Sequence, residues 1–417
     1  MTSLEHLKQT DTPIYDLIQK EIAYQQSSLR LIPSENYASL AVLEALGTPL
    51  SNKYAEGYPG KRYYGGNQYI DEIETLAIER AKKMLGAEHV NVQPHAGASA
   101  NIAAFFALLE LGDTFMGLEL SQGGHLTHGS PVNFSGKWFK PVAYAVDKQT
   151  EKLDYDAIEK QAKEKKPKMI IAGYTAYPMQ VDFKRFREIC DSCDAYLLAD
   201  ISHFAGLVVG GVHNHPLPHA DVVTSTTHKT LRGPRSAFMA CKADLAKPVD
   251  KAVFPGLQGG PLENLIAAKA VCFQEAMQPS FKQYARQIVK NAKAMANELM
   301  AQGLRLVAGG TETHLLLVDL TSLNITGKEA QAALEEAGII VNKNTIPFDT
   351  KSPFVTSGIR LGTPSLTTRG MKESEMKQIA QMLVKVLKDP SNAETKRKIR
   401  SEAEELCRQF PVYPELG

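Results

Sequence analysis

The sequence has few cysteines, no long hydrophobic run and almost no net charge. Its five cysteines are an odd number spread over 417 residues, which argues against a disulfide framework. Apolar stretches such as 169–172 and 315–318 fall far short of the roughly 20 residues that a membrane-spanning helix needs. A net charge of +1 provides no broad electrostatic field to attract nucleic acid or an anionic membrane surface. We therefore expect neither of these partners.

Cys190 and Cys193 form a Cys-x-x-Cys pair, which can be a redox or zinc motif. Phe183, Phe186 and Ile189 precede the pair at helical spacing, which predicts that both thiols lie on the buried face of a helix. No second cysteine pair follows. We therefore expect no metal site.

The first residues, 1–13, lack the apolar core of a secretory signal and the arginine-rich composition of a transit peptide. A cytoplasmic location is therefore expected. The composition, with 43% hydrophobic and 22% charged residues, is ordinary for a globular protein. The length is two to three times that of a usual domain, which predicts more than one domain.

Helical and strand-like patterns alternate from about residue 70 onward. Apolar residues recur at helical spacing in 70–84 and 98–111, and glycines at Gly86 and Gly112 predict the ends of these helices. Short runs that are mainly apolar, and not alternating, lie between the helical segments, at 169–172, 195–198, 221–224 and 237–240. Such runs predict an α/β fold with a mostly parallel sheet, covered by helices on both faces.

The pattern changes near residue 280, where a second domain is expected to begin. The predicted elements are a long helix, a strand, a helix, two extended pieces and a final helix, at 283–302, 313–320, 327–337, 339–341, 355–361 and 372–387. We predict a polar, partly helical arm at 1–25, a large α/β domain at 26–280 and a smaller α+β domain at 281–417.

Ligands of open α/β sheets bind at the C-terminal ends of the strands, where this sequence has several polar segments. Asp200-Ile-Ser-His203 follows 195–198, and Tyr174-Thr175 follows 169–172. Gly97 opens a predicted helix whose free N–H groups suit a phosphate, although this glycine can equally serve only to form a turn. No nucleotide-binding glycine motif follows a strand.

Lys229 follows the apolar run 221–224, close in sequence to Arg232 and Arg235. Lysine at a strand end is usually a solvated turn residue, but neighbouring cations favour the neutral amine that Schiff-base formation requires. Asp200 can cap a helix, or it can keep a pyridine nitrogen protonated so that the ring accepts electrons.

The order of Gly97, His125, Asp200, His203 and Lys229 resembles that of the serine hydroxymethyltransferases, fold-type-I pyridoxal-phosphate enzymes, over about residues 25–412. The matching motifs are Leu-Ile-Pro-Ser-Glu-Asn (31–36), the segment 52–66, Gly-Gly-His-Leu-Thr-His-Gly-Ser (123–130), Thr-His-Lys-Thr (227–230), Gln-Gly-Gly-Pro (258–261) and the segment 352–360.

The resemblance implies that Lys229 carries pyridoxal 5'-phosphate as an aldimine and that Asp200 pairs with the ring nitrogen. It implies that His125 stacks on the ring and that His203 and Thr175 approach the phenolic oxygen. The further residues implied to bind this cofactor are Gly97, Ala98, Thr226, Tyr54 and Gly260.

The resemblance also implies substrate-side roles. Arg360 would bind the amino-acid carboxylate through its bidentate guanidinium, although an isolated arginine in a strand is more often part of a surface ion pair. His228 would influence specificity, and Glu56 would move a proton at the leaving hydroxyl or the folate. Ser34 and Tyr64 complete the amino-acid side. The residues implied to line a folate pocket are Leu120, Gly124, His125, Leu126, Asn344, Ser352, Pro353 and Phe354.

In this family Tyr54, Glu56, Tyr64 and Gly260 reach into the site from the partner subunit, which implies a homodimer and leaves a tetramer open. The implied reaction is reversible transfer of the hydroxymethyl group of L-serine to tetrahydrofolate, giving glycine and 5,10-methylenetetrahydrofolate. Two alternatives are an aldolase of the same fold that needs no folate, and a binding or regulatory protein that has lost catalysis.

Two departures from the family concern the phosphate. Ala96 stands where the family commonly has serine, and Ala98 stands where some members have serine. Each missing hydroxyl removes one possible hydrogen bond to a charged acceptor, which predicts weaker cofactor retention. Arg232 stands where a small residue is common, and we expect its charge near Lys229 to compensate.

Overall fold

A computed structural model describes residues 4–416 of the chain, which form two compact units. One unit contains the residues up to Leu40 together with those from Gln287 onward, and the other spans Ala41–Arg286. The first three residues of the predicted arm, and Gly417, lie outside the described residues. Across residues 4–416, no helix combines the length and the apolar character that a membrane crossing requires.

The chain alternates between helices and strands in both units. The α-helices are α1 Glu5–Thr10, α2 Thr12–Ser27, α3 Leu40–Leu46, α4 Gln68–Leu85, α5 Gly97–Leu108, α6 Phe134–Trp138, α7 Tyr155–Lys165, α8 Phe183–Asp191, α9 Ala205–Val209, α10 Ala246–Lys251, α11 Glu263–Ala276, α12 Pro279–Ala301, α13 Gly327–Glu336, α14 Pro364–Thr368, α15 Glu373–Lys388 and α16 Ala393–Gln409. The strands are β1 Leu29–Arg30, β2 Gly57–Tyr58, β3 Lys61–Arg62, β4 His89–Asn91, β5 Thr114–Leu118, β6 Lys140–Tyr144, β7 Met169–Ala172, β8 Tyr196–Asp200, β9 Val222–Thr226, β10 Ala237–Cys241, β11 Arg305–Leu306, β12 Leu315–Asp319, β13 Ile339–Ile340, β14 Asn342–Asn344 and β15 Gly358–Gly362.

A seven-stranded sheet forms the centre of the Ala41–Arg286 unit, in the order β4-β10-β9-β8-β7-β5-β6. The five strands from β9 to β6 are parallel neighbours, which confirms the predicted α/β class with a mostly parallel sheet. β10 was expected among the parallel strands but runs antiparallel to both β4 and β9. Its residues are all buried, so its apolar run has the same appearance as that of a parallel strand.

Helix α5 covers this sheet with small residues and one aromatic anchor. Ala100, Ala103 and Ala104 are buried in the core, and alanine favours the helix itself. Phe105 is fully buried and meets Phe115 edge to face, with ring centroids 4.8 Å apart. The helix ends at Leu108 and not at the predicted residue 111, because the backbone is already extended at the next residue.

The two cysteines of the Cys-x-x-Cys pair differ in position. Cys190 lies on α8 and is fully buried, as predicted, but Cys193 follows the end of this helix and is only partly buried. Burial raises the pKa of both thiols. Both are free thiols, and no cluster of metal-ligand side chains is present within residues 4–416.

The second unit is an α+β structure around a four-stranded antiparallel sheet in the order β11-β12-β15-β14. Its core is formed by the buried faces of β12 and β15 together with those of α13, α15 and α16. The sequence pattern predicts 372–387 as the final helix, but α16 follows it. Its buried face consists of only four residues, Ile399, Ala403, Leu406 and Cys407.

Residues 26–40 were predicted to belong to the large domain but lie in the second unit. Leu29 and Leu31 are fully buried in its core, and β1 pairs in parallel with β13. A two-residue strand is too short to show a period in the sequence, which explains why the boundary at residue 26 differs from the division of the structure.

Arg369 links several backbone segments within this unit. Its guanidinium donates hydrogen bonds to the carbonyl oxygens of Phe410 at 2.8 Å and Gln26 at 2.7 Å. It also donates to the carbonyls of Gln25 and Cys407, both at 3.1 Å. The Arg369 side chain is itself buried, so its charge is balanced by these four carbonyl oxygens.

Replacing Arg369 with lysine is expected to lower the free energy of unfolding by about 2–4 kcal/mol, because one ammonium cannot reach carbonyls that a planar guanidinium joins. Urea titration measures the change. Arg408→Lys is the control, since Arg408 forms an exposed ion pair with Glu405 and should change stability by less than about 0.5 kcal/mol. Equal effects of the two changes would contradict this role of Arg369.

Candidate active site

The C-terminal ends of β8 and β9 lie side by side, because these strands are parallel neighbours with Asp200 paired to Thr224. Asp200 is the last residue of β8, and Thr226 is the last residue of β9. His203 and Lys229 lie in the loops that follow these two strands. The structure therefore brings these four predicted residues to one edge of the sheet.

Asp200 is a buried carboxylate with hydrogen-bond donors on both oxygens. Its Oδ2 accepts from Asn101 Nδ2 at 2.9 Å and lies 3.1 Å from His128 Nε2, while its Oδ1 accepts from the backbone N–H of Ser202 at 3.0 Å. Burial alone raises its pKa, but the hydrogen bond and charge of His128, with smaller contributions from His125 and Asn101, hold that pKa well below the usual value. The carboxylate is therefore ionised at neutral pH.

Asn101 and His128 were not among the predicted site residues. Asn101 is fixed by Thr224, whose hydroxyl donates to the amide oxygen at 2.7 Å, and it donates to Thr127 Oγ1 at 2.8 Å. Its sequence signal is a single polar, buried residue one turn into the alanine-rich α5. His128 lies inside the motif 123–130, but its sequence position does not indicate a contact with Asp200.

Lys229 is half-buried, and its Nζ donates to Thr226 Oγ1 at 3.3 Å. The Thr226 hydroxyl in turn donates to the carbonyl of Ser202 at 3.2 Å, and the Thr226 N–H donates to Ser202 Oγ at 3.1 Å. Ser202 therefore connects the strand end that carries Asp200 to the loop that carries Lys229.

His228 is the immediate neighbour of Lys229 and is held neutral. Burial, followed by the charges of Lys229 and Arg235, lowers its pKa to about 3. Arg232, which was expected to add a positive charge near Lys229, packs its guanidinium against two aromatic rings. Its guanidinium lies over the ring of Tyr284, 4.2 Å from the centroid, and 5.7 Å from that of Phe281. Arg232 is thus occupied by a cation–π contact.

The start of α5 forms a cradle for an anion. The N-cap residue Ala96 provides no side-chain hydrogen bond, so the first backbone N–H groups of the helix have no cap. A Cβ at Gly97 would lie 2.7 Å from Thr226 Cγ2, closer than such atoms approach, so glycine is required for this contact. The N–H groups and the helix dipole both favour a negatively charged group here.

His125 and the two glycines before it are held in place by contacts with neighbouring segments. His125 Nδ1 lies 2.7 Å from Thr127 Oγ1, which fixes the imidazole orientation. Thr175 donates its N–H to the Gly123 carbonyl at 2.9 Å. A Cβ at Gly124 would lie only 2.1 Å from the Leu118 carbonyl oxygen. The exposed side chains of Leu120 and Leu126 extend from the same loop.

A cavity of about 280 Å³ opens beside this loop, and Leu120 and His125 are among the residues that line it. The other lining residues come from the end of β5, the turn after His125 and β6, and are Leu118, Glu119, His128, Gly129, Ser130, Pro131, Pro141 and Ala143.

Tyr54, Glu56, Tyr64 and Gly260 form one partly exposed group, which we call the Tyr54 cluster. The hydroxyls of Tyr54 and Tyr64 donate to the two carboxylate oxygens of Glu56, at 3.3 and 3.5 Å. The two tyrosine rings meet edge to face, and a Cβ at Gly260 would touch the Tyr54 ring. Tyr54 is 59% exposed and Tyr64 48%, so both offer surface for contact. The charge of Glu56 raises the pKa of Tyr64.

Arg62 holds the loop that carries the Tyr54 cluster. It forms ion pairs with Glu74 at 2.6 Å and Asp71 at 2.8 Å, and donates to the carbonyls of Ala55 and Gly57, both at 2.9 Å. Both of these carboxylates lie on α4. The loop is therefore tied to a helix through a buried guanidinium, which limits its motion.

The remaining predicted residues lie in the unit that contains the C-terminal residues. Arg360 is buried on β15 and donates from Nε to Asn342 Oδ1 at 3.3 Å. Burial lowers its pKa to about 10, which still leaves it charged at neutral pH. Ser34 and Asn344 are half-buried. The segment Ser352, Pro353 and Phe354 is exposed.

The residues at the sheet edge fit the phosphorylated pyridine that the resemblance implies. An ionised, buried Asp200 suits a protonated ring nitrogen, and the start of α5 beside Thr226 suits a phosphate. Lys229 lies three residues after Thr226, to which its Nζ donates, and Ser202 joins Thr226 to Asp200.

The model of one protein family, described as serine hydroxymethyltransferase, matches residues 7–383 of this chain. The match covers most of the sequence and includes the strands, the cradle and the Lys229 loop. The chain therefore belongs to the serine hydroxymethyltransferase family, the fold-type-I pyridoxal-phosphate enzymes that interconvert serine and glycine by hydroxymethyl transfer.

Proposed function

We propose that this protein transfers the hydroxymethyl group of L-serine to tetrahydrofolate reversibly, giving glycine and 5,10-methylenetetrahydrofolate, with pyridoxal phosphate linked covalently to Lys229 Nζ. The observation that carries the proposal is the ionised Asp200, buried at the end of β8 and connected through Ser202 and Thr226 to Lys229. When bound, the cofactor accepts the electron pair released as the bond to the hydroxymethyl carbon breaks.

We assign cofactor binding to the Ala41–Arg286 unit. The N–H groups of Gly97 and Ala98 would hold the phosphate, and Asp200 would keep the ring nitrogen protonated. His125 would stack on the ring, while His203 and Thr175 would approach its phenolic oxygen. The strong lowering of the Asp200 pKa supports this assignment, since a neutral carboxyl could not stabilise a protonated ring.

The substrate side requires a cation for the carboxylate and a group that carries a proton. Arg360 is charged and buried, which strengthens a bidentate contact with a carboxylate. Glu56, held between two tyrosine hydroxyls, would hold the proton at the leaving hydroxyl or the folate. His228 is neutral at neutral pH, so it adds no second positive charge beside Lys229.

A homodimer is the assembly that we propose, because the Tyr54 cluster exposes two tyrosines beside a functional carboxylate. Tyr63 and Tyr69 in the same part of the chain are 73% and 70% exposed. Aromatic side chains of this size are typical of the cores of protein interfaces. The cluster would then complete the site of the partner, and Leu120, Gly124, Leu126, Asn344 and the segment 352–354 would bind folate.

The folate requirement is tested by measuring glycine release from L-serine with and without tetrahydrofolate. We expect a much higher rate with tetrahydrofolate, because the released one-carbon unit then has an acceptor. Equal rates in the two assays would instead indicate a folate-independent aldolase.

Asp200→Asn is expected to lower kcat for serine by about a hundredfold or more, because the neutral amide cannot stabilise a protonated ring nitrogen. Asp154→Asn is the matched control. Asp154 caps α7 through its side chain, and asparagine caps equally well, so activity should not change. An Asp200→Asn enzyme with normal kcat would remove the proposed role of this carboxylate.

Sharing of sites between subunits is tested by mixing two inactive variants, Lys229→Ala and Glu56→Gln. If Glu56 acts in the partner's site, each mixed dimer contains one site with both residues intact. Random pairing should then restore about a quarter of the wild-type activity. Mixtures that stay inactive, although mixed dimers are detected by native mass spectrometry, would place Glu56 in the site of its own chain.

A further inference from the structure

Ser202 is held in a fixed position between Asp200 and Thr226. Its backbone N–H donates to Asp200 Oδ1 at 3.0 Å, and its carbonyl accepts from the Thr226 hydroxyl at 3.2 Å. Its side-chain oxygen accepts from the Thr226 N–H at 3.1 Å. These three bonds join Ser202 to the ends of two adjacent strands, β8 and β9, so its hydroxyl position is determined by the sheet.

The Ser202 hydroxyl lies next to the start of α5. Its oxygen is 3.9 Å from the position that a Cβ on Gly97 would take. Gly97 is the first residue of this helix, whose first backbone N–H groups lack a side-chain cap. The serine hydroxyl therefore belongs to the cradle described above.

The hydroxyl has a proton to donate and, among residues 4–416, no acceptor for it. A serine hydroxyl carries one donor and two acceptor sites, and only an acceptor site is used here, by the Thr226 N–H. Thr226 is different, because its single hydroxyl proton is already directed to the Ser202 carbonyl. Of these two neighbouring hydroxyls, Ser202 is the one that can donate to a ligand.

Several donors thus converge without an acceptor. They are the Ser202 hydroxyl and the N–H groups at the start of α5, while Lys229 adds an amine that reaches Thr226. Convergent donors at a helix N-terminus favour a phosphate dianion. At the start of α5, positions 96 and 98, where serine occurs in the family, are alanines and carry no hydroxyl.

We propose that the Ser202 hydroxyl donates a hydrogen bond to the cofactor phosphate and takes the place of the hydroxyls absent at Ala96 and Ala98. This inference rests on the proposed function, since it needs pyridoxal phosphate in the cradle. It assigns the compensation to a serine in the loop that follows β8, not to Arg232, whose guanidinium packs on Tyr284.

The test uses two ligands that differ only in the phosphate. Cofactor-free protein is titrated with pyridoxal phosphate and with pyridoxal, and visible absorbance gives each Kd. Ser202→Ala is expected to weaken pyridoxal phosphate binding about tenfold or more, which is the loss of one hydrogen bond to a charged acceptor. Binding of pyridoxal should change less than about twofold, because that ligand has no phosphate.

Ser99→Ala is the matched control, since it removes a hydroxyl from the first turn of α5 that has no bond to Thr226. It should change the Kd of pyridoxal phosphate less than about twofold. Ala96→Ser in the Ser202→Ala background is expected to recover part of the loss. Ser202→Gly provides a second variant, and circular dichroism of the cofactor-free forms checks that each is folded.

Three results would overturn the inference. One is an unchanged Kd for pyridoxal phosphate in both Ser202 variants. Another is an equal weakening for both ligands, which would mean that Ser202 acts by positioning Asp200. The third is no recovery from Ala96→Ser. In each case the wild-type protein would still bind the cofactor and cleave serine, so the proposed function would stand. A wild-type protein that binds no pyridoxal phosphate would end both proposals.

Discussion

One buried negative charge organises the candidate active site. The Asp200 carboxylate is stable away from water because three groups contact its oxygens. Asn101 and the Ser202 backbone N–H donate hydrogen bonds to it, and His128 Nε2 lies within hydrogen-bond distance of Oδ2. These three partners come from α5, from the turn after His125 and from the loop that follows β8. An unpaired carboxylate at this depth would cost several kcal/mol, so the charge can exist only when all three elements are in place. The chemistry proposed for the site therefore depends on the packing of the whole sheet edge.

The sequence predicted those helices and strands whose burial is visible as a local pattern of apolar residues. Runs that are buried on both faces, such as β7, are apolar throughout and were located correctly. The direction of β10 could not be predicted, because an antiparallel strand in the middle of a sheet is buried in the same way. α16 was missed because few apolar residues interrupt its charged surface, and β1 is too short to show any period.

The candidate site was predictable to a different extent. Lys229 and Asp200 were found because each follows an apolar strand within a recognisable motif. Asn101, which donates to Asp200, has no such signal, since it is 99 positions away in sequence and is brought near only by the packing of α5 on the sheet. Arg232 shows that closeness in sequence can also mislead. It lies three residues from Lys229 in sequence. Its own backbone is left-handed, however, and its guanidinium stacks on the ring of Tyr284.

The pairing of β1 with β13 has a consequence for synthesis on the ribosome. Roughly 300 residues separate these strands, and at ~5–20 residues per second the first waits about 15 to 60 s for the second. Every strand of the seven-stranded sheet has by then emerged, since that sheet is complete by Cys241. Leu29 and Leu31, which are fully buried in the folded unit, are made before the strand that pairs with β1. The N-terminal part of the nascent chain thus carries apolar side chains that cannot reach their native core until β13 has been synthesised.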